Sequence, residues 1–296
     1  MLMVYDLLCS NPLSLIGYLL LLISILSLWI KQDIKVWGVI AIFSMVCGVI
    51  SDRIAVTGIV SIVILGLLYY TVNRIDLKLS VRAIVSVLAI ILSVLLAAHI
   101  IPGFNNWKIL DNVSLSEISQ PYSMYLNMDK TFVGLIILGL GFPLVKNLKE
   151  WVFVLRSALP IFLMGLIVLA CISPIFNYIR WDLKFPNLVF VWALNNLFFT
   201  CVSEEAFFRG FLQRNLSKRL RGYKYENILS LISVSFLFGF AHFAGGFKYV
   251  VLAAAAGIVY GYAYQKTQRI EASILCHFGV NIIHFIFFTY PALANT

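Results

Sequence analysis

The chain has 296 residues; 61% carry apolar side chains and only 12% are Asp, Glu, Lys or Arg, about half the usual soluble share of ~25%. Its mean hydropathy is +0.96 and its net charge +9. A soluble domain of this size could not hide so much apolar surface, and a disordered chain would need the opposite composition. The apolar runs exceed strand length, which predicts an all-α, polytopic transmembrane helical bundle rather than a barrel. The basic residues fall mostly between these runs, where they set orientation and meet anionic headgroups, so nucleic acid is not an expected partner.

Ten apolar runs are long enough, or nearly so, to span a bilayer, which predicts about ten membrane helices (eight to ten). They cover about 12–30, 34–51, 54–73, 83–101, 131–147, 151–176, 186–213, 227–243, 248–264 and 271–290. The second and fifth are short. No Lys or Arg precedes Lys31, and the first run is too long for a signal core, so it is expected to stay as a helix. The long polar stretch at about 102–130 holds Pro102, Gly103 and Pro121 and reads as a connector. It divides an N-terminal bundle, 1–130, from a second region, 131–296. His99 reads as an interfacial side chain.

Loops after odd-numbered runs carry fifteen Lys and Arg, and loops after even-numbered runs six, Lys108 and Lys130 among them. The bias places the odd loops in the cytoplasm and both termini outside. An integral, multi-pass protein of a bacterial inner membrane is the expected setting. Gly257 and Gly261 form a GxxxG in an Ala-rich run, which reads as close helix packing within the molecule. Of five cysteines, all but Cys9 lie inside apolar runs and none forms a CxxC, so they read as small packing residues.

The carboxylates locate a candidate site. Eleven of thirteen acidic residues, Asp6, Asp129 and Glu271 among them, fall in loops, tails or helix ends; only Glu204 and Glu205 lie inside a long apolar run. A carboxylate at that depth costs about 2.5–3.5 kcal/mol on the insertion scale. Arg209, four residues after Glu205 on an α-helix, would neutralise Glu205 and leave Glu204 unexplained. His277, Asn281 and His284 share one helical face at i, i+4 and i+7. At 1.5 Å per residue Glu204 lies roughly 15 Å and His277 roughly 12 Å from the cytoplasmic edge. His242 lies roughly 24 Å in if its helix starts at Glu226.

A carboxylate, two imidazoles and a carboxamide suit hydrolysis of a peptide bond by water. Glu204 would take the proton, His242 would hold the same water, and His277 and Asn281 would donate to the oxyanion. Glu204, His242 and His277 could instead bind zinc, leaving water in the fourth position. No GxSG, HExxH or intramembrane Asp pair occurs. A polar intramembrane cluster would equally serve a proton-coupled transporter, although no inverted repeat is visible.

Three motifs then stand in order. Glu204-Glu205-Ala206-Phe207-Phe208-Arg209 reads EExxxR, Phe238 to His242 reads FxxxH, and His277 to Asn281 reads HxxxN. Together they resemble the CPBP family of CAAX prenyl proteases and bacteriocin-processing (ABI) proteins, over a core of about 186–290. The resemblance implies an intramembrane protease whose cavity opens to the cytosol. Glu204, His242, His277 and Asn281 would be catalytic, and Glu205 and Arg209 supporting. It also implies a membrane-embedded or membrane-associated peptide or protein substrate. Eukaryotic members trim prenylated CAAX ends; in a bacterium, peptide maturation, self-immunity or regulatory proteolysis would take that place. A non-enzymatic scaffold or immunity protein of the same fold is the alternative.

Overall fold

The computed structural model describes residues 7, 9–74 and 76–294. Asp6 and the two chain termini, whose expected outer placement bears on orientation, lie outside the described residues, as does the Arg74 side chain.

Each expected run coincides with a helical segment, but the expected count of about ten spans is corrected. Among the described residues six helices are long and apolar enough to cross a membrane by length and composition. These are α1 (Pro12–Ile30), α3 (Val56–Arg74), α4 (Leu79–Ala97), α6 (Leu148–Ile172), α11 (Phe247–Thr267) and α12 (Ile270–Phe287). Helices α2 (Ile34–Ile50) and α10 (Glu226–Ala241) are shorter, at 17 and 16 residues. Helix α5 (Met128–Gly141) has 14 residues, about 21 Å of rise against a ~30 Å hydrocarbon core.

The seventh run is interrupted in a way hydropathy does not register. It passes from α7 (Val189–Leu194) through π-helical Asn195–Cys201, α8 (Val202–Glu205) and π-helical Ala206–Gln213 into α9 (Arg214–Arg219). π-Helical bonds run from i to i+5 and widen the turn. Faces counted at 3.6 residues per turn therefore do not carry through this segment.

The chain divides into two units. The first takes Met1–Leu110, Met124–Leu144 and Phe198–Phe207. In it α1 packs on α2 through side chains that turn their hydroxyls onto the neighbouring backbone. Ser44 Oγ donates to the Gly17 carbonyl at 2.7 Å, and Ser24 Oγ to that of Trp37 at 2.7 Å. Nearly every residue of α5 is buried. Gln32, between α1 and α2, satisfies its C-terminal end, with Nε2 donating to the Leu138 and Phe142 carbonyls at 2.6 Å each.

The second unit takes Asp111–Ser123, Val145–Leu197 and Phe208–Thr296. Here α11 packs on α6, α10 and α12. Glu271, in the first turn of α12, accepts the Val145 N–H at 2.7 Å, which accounts for a buried carboxylate at a helix start. The polar stretch expected to be a plain connector is more than that. It forms two paired strands, β1 (Trp107–Val113) and β2 (Tyr122–Leu126). Its tip is tied to the segment after α12, where Gln120 N–H donates to the Ala292 carbonyl and Ala294 N–H to that of Ile118, each at 2.9 Å.

The protein is an integral membrane protein. Only 17% of the α4 and α6 windows is buried within the protein. What they leave outside is apolar, Leu88 and Ile91 on α4 and Leu163, Met164 and Ile167 on α6. Faces of this kind need lipid around them.

Candidate active site

In the first unit, Glu204 sits on α8 and meets a residue that hydropathy had placed in an outer loop. Lys130, in the first turn of α5, brings its Nζ to 2.5 Å from Glu204 Oε1. Both side chains are largely buried, 17% and 12% exposed. The pair answers the cost of a carboxylate at this depth, because a buried charge is tolerated when a counter-charge is hydrogen-bonded to it. Glu205, next along, is fully buried.

The α5 helix reaches α8 because Gly134 has no side chain. A Cβ there would lie 2.6 Å from Ser203 Cα, so the two backbones come closer than any other residue would allow. The start of α5 is held in turn by a polar cluster. Asp129, expected at a helix end, is indeed in the first turn but is only 1% exposed. Its carboxylate meets His99 Nδ1 at 2.7 Å and accepts Asn106 Nδ2 at 3.0 Å on both oxygens. His99 is thus a partner of Asp129, with its backbone in the left-handed region at φ 59°, and not simply an interfacial side chain.

In the second unit, Arg209 and Gln213 dock on the GxxxG of α11. Arg209 Nη2 donates to the Gly257 carbonyl at 2.8 Å and Gln213 Nε2 to the Gly261 carbonyl at 3.0 Å. Cβ atoms at Gly257 and Gly261 would fall 3.4 Å from Arg209 Nη2 and 2.8 Å from Gln213 Oε1. The expected intramolecular use of this motif is therefore what the structure has. The Arg209 guanidinium lies over Phe238, 4.6 Å from the ring centroid, and beside Tyr260 at 5.6 Å.

Those rings reach the histidines. Phe238 lies 4.7 Å from His242 and 5.7 Å from His277 between centroids. Helix α10 does begin at Glu226, so no later start shortens the depth assigned to His242. The two imidazoles nevertheless flank the same ring. Tyr260 stacks on His277 at 4.5 Å and 14°. His242 follows the last residue of α10, and its Nδ1 is 2.7 Å from the Phe238 carbonyl. A carbonyl only accepts, so that contact puts a proton on Nδ1 and, in the neutral ring, leaves Nε2 as an acceptor. Tyr249 stands edge-on to His242 at 5.2 Å, with Tyr178 stacked behind it at 5.6 Å; burial pushes the Tyr178 phenol up to about 12.

Asn281, one turn after His277, donates Nδ2 to Asn196 Oδ1 at 3.1 Å. Asn196 stands in the first π-helical stretch and is a residue the sequence reading passed over. His284 shares the α12 face but has its own partner, with Nε2 3.0 Å from the Thr289 carbonyl.

Residues 186–283 match the Rce1-like family, described as type II CAAX prenyl endopeptidase Rce1-like. The matched segment encloses Glu204, Glu205, Arg209, His242, His277 and Asn281, and leaves out Lys130 and His284. No curated protein and no solved structure matches the chain.

Proposed function

We propose, because residues 186–283 match the Rce1-like family of type II CAAX prenyl endopeptidases, that this protein is an intramembrane endopeptidase in which Glu204 activates the attacking water. The observation that carries the reading is that one matched segment holds the diacid, both histidines and the asparagine in the expected order.

The steps follow from the donors and acceptors present. The Glu204 carboxylate takes a proton from water as the water oxygen bonds to the scissile carbonyl carbon. His242 Nε2, an acceptor when Nδ1 faces the Phe238 carbonyl, would accept a hydrogen bond from the other O–H of that water, which stays bonded to its oxygen. Charge moves to the carbonyl oxygen, where His277 and Asn281 donate. The Asn281 N–H given to Asn196 Oδ1 fixes the amide plane from which Asn281 would donate. The carbon–nitrogen bond then breaks, and Glu204 returns its proton to the leaving amine. Glu205 and Arg209 support the segment rather than react.

Zinc held by Glu204, His242 and His277 is the other route to an activated water. Among the described residues no three His, Cys, Asp or Glu side chains form a group that could hold a metal ion. The steps above are written for protein groups and water, and the chelator comparison below tests the zinc route. The substrate is a membrane-associated peptide or protein, reached from the cytoplasmic side of what we take to be a bacterial inner membrane.

The test is cleavage of a quenched fluorogenic peptide library by the purified protein in detergent, with and without a strong chelator. Wild type is expected to cleave in both lanes, and His277→Ala to lose cleavage while still inserting. Loss of wild-type activity with chelator, restored by zinc, would overturn the metal-free route. Normal cleavage by His277→Ala would overturn the assignment of the oxyanion donors.

A further inference from the structure

Lys130 lies outside the matched segment, on α5, yet its ammonium is 2.5 Å from Glu204 Oε1. Its placement is unfavourable on local grounds. A cation in the first turn of a helix opposes the macrodipole, and a buried lysine loses its hydration. Something must offset both costs, and the carboxylate does.

The local structure is built to hold that lysine in place. Asp129 Oδ1 accepts the Lys130 backbone N–H at 2.8 Å, and Asn106 Oδ1 accepts that of Met128 at 2.9 Å. His99 and Asn106 hold Asp129 in turn. One turn further on, Gly134 lets α5 approach α8 at Ser203, the residue before Glu204.

We propose that Lys130 is a positioning residue for Glu204. Its ammonium binds Oε1 and sets the plane of the carboxylate that takes the proton from water. Within the first unit α5, anchored by His99, Asn106 and Asp129, delivers the lysine to Glu204. The proposal rests on the reading of Glu204 as the activating base.

Two measurements test it. The first does not depend on activity. A membrane-permeant carbodiimide should join the Lys130 amine to the Glu204 carboxylate as an amide, with loss of one water. Peptide mass spectrometry should find this cross-link in wild type and not in Lys130→Met or Glu204→Gln. Its absence from wild type overturns the proposal. The second is kinetic, on the same fluorogenic library. Lys130→Met is expected to lower kcat by about ten- to a hundredfold with KM nearly unchanged, because one hydrogen bond to a charged group is lost. Lys130→Arg, which keeps the charge and the donors, should recover most of kcat and guards against a folding defect in the Met variant.

An unchanged kcat in Lys130→Met overturns the positioning role, as does an Arg variant no better than Met. If wild type forms the cross-link but Glu204→Gln cleaves normally, the ion pair stands. The base assignment is then the part that fails, and the positioning role falls with it.

Discussion

His277 is held between Tyr260, stacked at 4.5 Å, and the edge of Phe238, and Asn281 is steadied by Asn196. If Asn281 donates to the oxyanion, Asn281→Ala should lower kcat by about 10²- to 10³-fold with KM little changed. Asn196→Ala keeps the donor but frees its amide plane, so steady-state kinetics should show a smaller fall of about three- to tenfold. Equal losses would mean that Asn281 is structural. Glu204, His242, His277 and Asn281 could be picked out as candidates in the sequence because polar groups within apolar runs stand out, and because i, i+4 spacing holds on the regular α12. Asn196 and Lys130 were not. Asn196 lies in a π-helical stretch where face counting fails, and Lys130 looked like one more basic residue of a loop.

At the scale of elements, close backbone approach positions the site. Gly239 lies three residues before His242, and a Cβ there would meet the Val250 carbonyl oxygen at 2.7 Å. Gly239→Ala should force α10 away from α11 and destabilise the protein by about 1–3 kcal/mol. Thermal unfolding in detergent should register it. A Cβ at Gly66, in α3, would meet nothing within 4 Å, so Gly66→Ala should be neutral or raise stability by up to about 1 kcal/mol. Similar effects at both positions would contradict the packing argument. GxxxG could be read as a packing motif because small residues four apart leave a groove. What fills the groove, Arg209 and Gln213, could not, since the segment that carries them departs from the 3.6-residue period.

For the whole molecule, hydropathy reads the solvent rather than the span. Membrane residence and the helical class followed from composition, and among the described residues six helices have the length and composition to cross. The runs that yield α2, α5 and α10 are apolar but fall short, and α5 is apolar because it is buried among other helices. Strands β1 and β2 were missed because Pro102, Gly103 and Pro121 made the whole stretch look irregular. Moving Lys130 from the outer loop to the Glu204 ion pair takes one basic residue from the sparser side, so the charge bias strengthens. In a background without native cysteines, Lys218→Cys should react with an impermeant maleimide only from the cytoplasmic side, and Glu117→Cys only from the outer side. The reverse pattern would invert the proposed orientation.

The most direct test of the central claim compares wild type with Glu204→Ala, both purified in detergent, against the fluorogenic peptide library. A water-activating carboxylate predicts that wild type cleaves and that Glu204→Ala, inserted and folded, falls by about 10²- to 10⁴-fold. Cleavage by Glu204→Ala at the wild-type rate would contradict the account.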